Sequence, residues 1–318
     1  MKKFCLNRMK KKILIIKHGA LGDLVFAMGA FQAIRTHHKN DTVILLTSSP
    51  FKKLSERCPY FDEVWIDDRP RLWRNPLACI KLFQRLKKAR FDLVYDLQRS
   101  KRTKWYLKVM KRWSPAPKWS SIHKGADFHY DIPSVYVDHI VTINKKQVQK
   151  AGIKKVPAPS LDWMTSDISA LKLPKKYFIL VPGTSPGQDH KKWPAVSYGI
   201  IAQRLVEKGF TPVVLGTQTE QPDWKVIHKA CPQAMSLLGK TTLFDIPEIA
   251  RKARGALGND TGPMHFCYFR GCPSLYLFSH SSGPDLCGPQ DGISKVIQQH
   301  NLADLSVETV WNHLVFRK

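Results

Sequence analysis

Residues 250–279 form the stretch that most constrains how this chain can fold. A short apolar run at 256–258 leads into the turn Asn259-Asp260-Thr261-Gly262, and Pro263 then suits the first position of a short helix. The apolar run at 274–278 predicts a second buried strand. The order strand, turn, helix, strand is typical of a parallel sheet, so the predicted fold class is α/β.

The turn before this helix is a candidate binding site. Free N–H groups at a helix start, the Thr261 hydroxyl and the open backbone at Gly262 can together receive a phosphate or sugar hydroxyls. A simpler interpretation is that Asp260 and Thr261 only cap the helix. Taken alone, the turn favours the capping interpretation.

The rest of the chain alternates strands and helices in two series. A length of 318 residues suits two domains of ordinary size, and the Pro-rich stretch at 154–174 is typical of a linker. We therefore predict two parallel-sheet domains, 1–155 and 156–318, facing each other across a cleft. Their predicted strands are 13–17, 42–47, 64–66, 91–97, 177–182, 211–215, 235–238, 256–258 and 274–278.

Two segments receive separate predictions. Residues 114–134 are rich in Pro, Ser, His and aromatic residues, and we expect an irregular loop there. Residues 302–315 predict a helix, which we expect to pack back on the N-terminal domain.

The net charge of +26 is concentrated in one half of the chain. Residues 1–155 carry 34 Lys and Arg against 12 Asp and Glu, whereas residues 156–318 carry 17 against 13. A lysine-rich organism would charge both halves alike. The asymmetry therefore indicates a polyanionic partner for the first half: nucleic acid, an anionic membrane face or a phosphorylated lipid.

The composition indicates a cytoplasmic protein. No apolar run approaches the roughly 20 residues that span a bilayer. The apolar run at 13–16 is interrupted by Lys17 and His18, so no export signal is expected. The seven cysteines are odd in number and widely spaced, which favours a reducing compartment and gives no zinc or redox motif.

Two glycine motifs are excluded. The turn at 18–22 has only two glycines, too few for a dinucleotide fingerprint, and it brings Asp23 to the lip of the sheet. Spacing alone favours Asp23 as a helix cap. The segment 183–187 matches a hydrolase nucleophile elbow, but Pro186 lacks the N–H that the oxyanion hole needs.

Three further features have two interpretations each. Lys191 follows a strand end where a phosphate could be held, or is simply solvated. Glu220 could bind a ribose diol, or is a surface acid. The basic residues at 81–90 and 98–112, interleaved with Trp105, Tyr106 and Trp113, could grip RNA or a glycolipid at a membrane, or form a solvated helix face.

Together these loops resemble glycosyltransferase family 9, the bacterial heptosyltransferases of lipopolysaccharide core synthesis. The similarity covers nearly the whole chain, and the NDTGPMH block at 259–265 is its most specific part. The other matching elements are ALGD at 20–23, FDLVYDLQ at 91–98, PGTS at 182–185 followed by Lys-x-Trp-Pro at 191–194, and the glycine loop with Glu220.

The resemblance implies a GT-B fold of two Rossmann-like domains, with the acceptor bound mostly by the first and the nucleotide-sugar by the second. It also implies an inverting transfer without metal or cofactor, in which Asp23 is the catalytic base, Lys191 holds the donor phosphate and Glu220 holds the ribose. The remaining donor-binding residues would be Asp260, Thr261, Gly262 and His265, and those of the acceptor region Gly22, Gln98, Arg99 and Arg102.

The implied partners are ADP-heptose and an anionic lipopolysaccharide inner-core acceptor at the cytoplasmic face of the membrane, with the protein peripheral and monomeric. Another nucleotide-sugar or glycan acceptor, and a basic nucleic-acid-binding protein, stay open as alternatives. The chain departs from the family at Gly19, where many members carry Ser, and at Ser279-His280, where Phe-Gly is more usual.

Overall fold

The computed structural model describes residues 10–71, 74–132, 138–184, 187–280 and 283–317. The chain divides into two compact units. The first contains the described residues up to 132 together with Ile140–Pro159, and the second contains 138–139 and the residues from Ser160 onward. The division falls four residues after the predicted boundary at 155/156.

The first unit is built on a six-stranded parallel sheet with the order β3-β2-β1-β4-β5-β6. Its central strand β1 buries four consecutive residues, Ile13 to Ile16, because helices cover both faces of the sheet. The strands are β1 (Lys12–Ile16), β2 (Thr42–Thr47), β3 (Glu63–Ile66), β4 (Leu93–Asp96), β5 (Lys118–Ser121) and β6 (Phe128–His129).

The second unit repeats this plan, with the order β12-β11-β10-β7-β8-β9. In both units the chain starts at an inner strand, moves to one edge and then returns to the other side of that strand, as in doubly wound folds. The strands are β7 (Tyr177–Val181), β8 (Thr211–Val214), β9 (Met235–Ser236), β10 (Ala256–Asn259), β11 (Ser274–Phe278) and β12 (Lys295–Gln298).

Local capping fixes where several helices begin. The Asn75 side chain accepts from the Ala78 N–H, and Ser100 forms a capping box with Thr103. The helices are α1 (Leu21–Phe26), α2 (Met28–His37), α3 (Lys52–Glu56), α4 (Pro76–Ala89), α5 (Lys101–Met110), α6 (Ile140–Lys150), α7 (Ala195–Glu207), α8 (Gln221–Ala230), α9 (Asp245–Lys252), α10 (Gly262–Phe269), α11 (Pro284–Cys287) and α12 (Val307–His313). Within the described ranges, no helix is both long and apolar enough to cross a membrane.

The expectation of an irregular loop at 114–134 is wrong. This segment contributes β5 and β6, which extend the first sheet at its edge. Both strands are short and Ser- or His-containing, so neither has the apolar run by which a strand is recognised in sequence. Trp119 is fully buried and supplies the apolar anchor of β5.

The last helix packs within the core of the second unit. Val310 and Leu314 are buried in a core shared with Trp193 and the residues of α7. The Trp193 Nε1–H donates to the Leu305 carbonyl at 2.9 Å, and Arg204 of α7 pairs with Glu308 at 2.8 Å. The apolar face of α12 therefore covers the sheet that carries β7 and β10.

Candidate functional site

The candidate residues of the first unit follow β1 and β4, the two strands between which the strand order reverses. Ile16 lies beside Asp96 in the parallel register, so residues 17–23 and 97–99 leave the sheet at the same edge. In doubly wound sheets, ligands bind at the carboxyl ends of such a strand pair. The structure thus brings Gly22, Asp23, Gln98 and Arg99 to one switch point.

Asp23 is not the cap of its helix. Ala20 occupies the N-cap position, and Asp23 lies in the first turn of α1 with its side chain 44% exposed. Its Oδ2 is 3.6 Å from the Nζ of Lys17, whose side chain is only 2% exposed. Asp23 is therefore an accessible carboxylate held beside a buried cation.

Lys17 is a functional candidate that sequence analysis did not identify. Burial lowers the pKa of Lys17 to about 8, and the nearby Asp23 carboxylate opposes that shift. Its Nζ donates to the Leu97 carbonyl at 3.2 Å, which fixes it between the two switch strands. Only its position directly after a buried strand could have indicated this role.

Arg99 places a second cation near Asp23. Burial lowers the pKa of Arg99, while the carboxylates of Asp23 and Asp96 act in the opposite direction. Its backbone is left-handed at φ 56°, and its N–H donates to the Asp96 Oδ1 at 3.0 Å. Among the described residues, the buried Nη1 of Arg99 has no hydrogen-bond partner. A guanidinium nitrogen in this state is suited to an anionic ligand.

The other predicted acceptor residues differ in their contacts. Gln98 Oε1 accepts from the His18 N–H at 2.8 Å, so its side chain fastens the turn after β1. Arg102 donates to the Tyr106 hydroxyl at 2.6 Å and to the Pro70 carbonyl at 2.9 Å. Its contacts support the loop after β3.

A buried carboxylate, Asp67, organises this side of the site. It accepts from the Tyr106 hydroxyl at 2.6 Å and contacts His18 Nε2 at 2.7 Å. Burial acts to raise the pKa of Asp67, but the hydrogen bond and the charge of His18 outweigh it, so the pKa lies below its ordinary value. Asp67 holds His18 and therefore the start of the turn that carries Asp23.

In the second unit the switch strands are β7 and β10, and Asn259 joins the loops that follow them. Its Oδ1 accepts from the Trp193 N–H at 3.0 Å, and its Nδ2 donates to the Pro182 carbonyl at 2.7 Å. The Asn259 side chain is fully buried. It positions the loop with Lys191 against the turn that begins at Asp260.

Asp260 lies between two candidate donor-binding residues. Its Oδ2 is 3.4 Å from Lys191 Nζ, and its Oδ1 is 3.6 Å from His265 Nε2. Thr261 is the N-cap residue of α10 by backbone position, but its side chain makes no capping hydrogen bond. The capping interpretation therefore does not account for the Thr261 hydroxyl. Gly262 begins the helix beside it.

Glu220 is held against two glycine loops at the same edge. It is 9% exposed and accepts from the Thr217 N–H at 2.6 Å and the Thr219 hydroxyl at 2.8 Å. A Cβ on Gly183 or Gly216 would come within 2.9 Å of its side chain, so only glycine permits this packing. Glu220 is not the solvated surface acid of the simpler interpretation.

The turn at Gly19 explains one departure from the family pattern. Gly19 has φ +122°, and a Cβ there would lie 2.2 Å from the Phe51 ring. A serine cannot be accommodated in this backbone without displacing Phe51.

Ser185 and Pro186 of the excluded hydrolase elbow lie outside the described residues. Within the described part of the chain, no group of three or more His, Cys, Asp or Glu is arranged to hold a metal ion.

Two doubly wound units, each with polar side chains at its switch point, make up the GT-B fold. The family model for glycosyltransferase family 9 (heptosyltransferase) matches residues 79–306. The chain belongs to that family and is a glycosyltransferase.

The similar proteins agree with this assignment. Lipooligosaccharide heptosyltransferase 2 of Haemophilus influenzae is 21% identical, over 85% of this chain and 84% of that protein. The solved structure of Escherichia coli ADP-heptose lipopolysaccharide heptosyltransferase II has a TM-score of 0.75 at 19% identity, over 95% and 97% of the two chains. A family 9 glycosyltransferase from Veillonella parvula has a TM-score of 0.76 at 17% identity, over 95% of both chains. At these identities the two structures support the fold.

Proposed function

We propose that this protein transfers heptose from ADP-heptose to a lipopolysaccharide inner-core acceptor, with inversion and without a metal. The observation that carries the proposal is the arrangement of Lys191, Asp260 and the start of α10 at the carboxyl edge of β7 and β10 in a family 9 chain. Cationic and N–H groups at this edge suit a pyrophosphate. The relatives' names, lipooligosaccharide and lipopolysaccharide heptosyltransferase 2, supply the sugar and the acceptor class.

The second unit would bind the donor. In the free protein Lys191 is paired with Asp260, and an incoming pyrophosphate would replace that partner with a stronger anion. The Thr261 hydroxyl, which makes no capping hydrogen bond, and the N–H groups that begin at Gly262 would hold the phosphates and sugar. Glu220 Oε2 accepts from both the N–H and the hydroxyl of Thr217, whereas Oε1 accepts only from the Thr219 hydroxyl, so Oε1 keeps a lone pair for a ribose hydroxyl.

The first unit would supply the base. As the acceptor oxygen forms its bond to the anomeric carbon, the bond to the phosphate oxygen breaks and the acceptor proton passes to Asp23. The charge of the leaving ADP is stabilised by Lys191 and the helix N–H groups. Lys17 and the start of α1 place positive charge beside Asp23. Positioning of the acceptor hydroxyl against this carboxylate would supply much of the rate.

The positive charge of the first unit supports an anionic acceptor and a location at the membrane surface. Lys17 and Arg99 at the first switch point suit the phosphates and carboxylates of an inner-core acceptor. We infer that the protein works as a monomer in the cytoplasm, peripheral on the inner face of the membrane, where a basic surface is attracted to anionic lipid.

Donor binding and turnover test the proposal separately. Calorimetry against ADP-, UDP- and GDP-sugars should show binding of the ADP-sugar only. Release of ADP in the presence of acceptor should continue after treatment with EDTA. If the protein prefers another nucleotide, a related transferase with a different donor is favoured. If EDTA abolishes turnover and Mg²⁺ restores it, the metal-independent mechanism is contradicted.

Glu220→Gln tests the ribose contact. We expect a roughly tenfold weaker affinity for the ADP-sugar, since one charge-assisted hydrogen bond to a diol is lost. A donor analogue that lacks both ribose hydroxyls should bind the wild type and Glu220→Gln equally. If the variant weakens both donors by the same factor, Glu220 only shapes the glycine loops.

A further inference from the structure

Helices α4 and α5 form a continuous surface on one face of the first sheet, which we name the α4–α5 face. The two helices pack side by side: the Phe83 ring of α4 lies 4.8 Å from Trp105 and 5.0 Å from Tyr106 of α5, centroid to centroid. Their buried sides share the core with Leu86 and Met110. In the described part of the chain, the outer sides of both helices are exposed to solvent.

The outer side of this face is strongly cationic. Residues 69–126 contain 17 Lys and Arg but only two acids, Asp92 and Asp96. Asp92 accepts from the Lys12 N–H at the sheet edge, and Asp96 is fully buried at the switch point. Neither acid lies on the helices, whose exposed cations are Lys81, Arg85, Lys87 and Lys88 on α4 and Lys101, Lys104 and Lys108 on α5.

Large apolar side chains are exposed among these cations. Leu77 is 68% exposed, Ile80 49% and Trp105 39%. Leu77, Ile80, Lys81, Gln84 and Lys88 recur at helical spacing, so the exposed stripe of α4 is apolar at its start and cationic at its end. A purely electrostatic surface for a soluble polyanion has no need of exposed leucine and isoleucine.

A cavity of about 500 Å³ lies at the cationic end of this face. Lys87, Lys88 and Arg90 line it together with the rings of Phe91 and Trp113, and no carboxylate lines it. No ion pair among the described residues involves these three cations. Phe91 precedes β4, so the cavity is at the opposite edge of the sheet from Asp23 and is separate from the acceptor site.

We propose that the α4–α5 face docks the protein on an anionic phospholipid bilayer. Leu77, Ile80 and Trp105 enter the interface, the lysines contact the headgroups, and the cavity beside Arg90 receives one lipid phosphate. Apolar and cationic side chains on one helical surface are the combination that such an interface selects. The proposal rests on the proposed function only in that a lipid-linked acceptor brings the enzyme to a membrane.

Vesicle flotation of the full chain tests the electrostatic part. The probes are vesicles of phosphatidylcholine alone and vesicles mixed equally with phosphatidylglycerol, without donor or lipopolysaccharide. Each basic residue near an anionic surface contributes roughly a fivefold factor in affinity, so the triple variant Lys81→Gln, Lys88→Gln, Lys104→Gln should lose about 100-fold. The matched control carries Lys175→Gln, Lys225→Gln and Lys229→Gln, which are exposed on the second unit, and should lose less than about threefold.

The apolar side chains distinguish a bilayer from a soluble polyanion. The double variant Leu77→Ser, Ile80→Ser should weaken vesicle binding about tenfold while leaving any affinity for single-stranded RNA unchanged. RNA binding as tight as vesicle binding, with no effect of the double variant on vesicles, would overturn the proposal and favour a nucleic-acid surface. Equal losses in the two lysine triples would also overturn it, because charge alone would then explain the binding.

This test is independent of transfer. Turnover of donor on a detergent-solubilised acceptor involves no bilayer, and the vesicles contain no substrate. Failure of the wild-type protein to bind the anionic vesicles, with normal turnover, would therefore reject the docking surface only. Absent turnover of the wild-type protein with normal vesicle binding would reject the proposed reaction only.

Discussion

The two units share one strand order, but they use their carboxylates differently. In the first unit Asp67 and Asp96 are buried in internal hydrogen bonds, and Asp23 alone of these three is substantially exposed, at 44% of its side chain. In the second unit Asp260 and Glu220 are about one-tenth exposed, and Asp260 lies against a lysine. Of these carboxylates, the first switch point thus presents one that is accessible, and the second presents two that are shielded.

This contrast predicts that the rate of transfer and the affinity for the donor depend on different units. Chemistry should depend on Asp23 in the first unit, and donor affinity on Lys191 in the second. Variants that affect both properties equally would break the comparison.

Asp23→Ala should have the largest effect. Loss of a positioned general base typically costs about 10²- to 10⁴-fold in rate, so kcat should fall by that factor. Donor affinity measured by calorimetry should stay within about twofold, since no donor contact is removed. Asp23→Asn serves as the isosteric control and should be equally slow. A fully active Asp23→Ala enzyme would remove the proposed mechanism.

Lys17 should make stability depend on pH. Because burial lowers its pKa to about 8, the folded protein loses this proton before the unfolded chain does, and stability from this group rises as pH increases from 8 to about 10.5. Relative to Lys17→Met, the wild type should gain up to about 3 kcal/mol in unfolding free energy over that interval. Denaturant unfolding at several pH values measures the difference.

The control variant is Lys53→Met, because Lys53 is exposed. Its free energy of unfolding should differ from that of the wild type by the same amount at every pH. A flat difference for Lys17→Met as well would show that Lys17 is solvated. Because Lys17 is 3.6 Å from Asp23 and its pKa is about 8, kcat should show an inflection near pH 8 that disappears in Lys17→Met.

Much of the fold could be predicted from the sequence, because its central strands are apolar runs. The strands at 42–47 and 274–278 have the predicted bounds, and the other predicted strands differ by one or two residues at one or both ends. The α/β class, the GT-B fold and the family are confirmed. Strands β5, β6 and β12 were missed because they have only two to four residues each and none contains a continuous apolar run of the length that marks a strand.

The candidate site was predictable only where a motif marked it. Asp23, Lys191, Glu220 and the turn at 260–262 lie in blocks that resemble the family, and their roles stay predictions. Lys17 and Asp67 could not be recognised, because a buried charge is identified by partners distant in the sequence: Asp67 meets His18 across 49 positions. Helix α12 lies in the unit to which the sequence assigned it, but its apolar face alone gave no indication of which core it covers.

Lys191→Met should affect the donor and not the base. A charge-assisted hydrogen bond to phosphate contributes about 1.5 to 3 kcal/mol, so donor affinity should fall roughly tenfold to a hundredfold. The matched control is the neighbouring variant Lys192→Met. Lys192 pairs with Asp223 at 2.8 Å and not with Asp260, so the Lys192→Met protein should bind donor with wild-type affinity. Calorimetry of both variants measures the contrast. Equal losses would mean that the loop's net charge, not Lys191, attracts the donor.

Substitution of glycines near the two switch points should give the smallest effect of the variants considered, a difference in the free energy of unfolding. Gly183 and Gly216 make room for the Glu220 carboxylate, whereas Gly19 makes room for the Phe51 ring, so the first turn is closed by apolar packing. Gly19→Ala should destabilise the protein by backbone strain at φ +122° and by overpacking against Phe51. Gly125→Ala isolates the strain, because Gly125 has φ +95° and no atom within 4 Å of an added Cβ.

Thermal or denaturant unfolding should find Gly19→Ala less stable than Gly125→Ala by about 2 kcal/mol, which is the overpacking contribution. Adding Phe51→Ala to Gly19→Ala removes the ring and should recover much of that difference relative to Phe51→Ala alone. If the two glycine variants are equally stable, Phe51 moves aside freely. The absence of serine at position 19 would then have no steric cause, and the first turn would be as open to a ligand as the second.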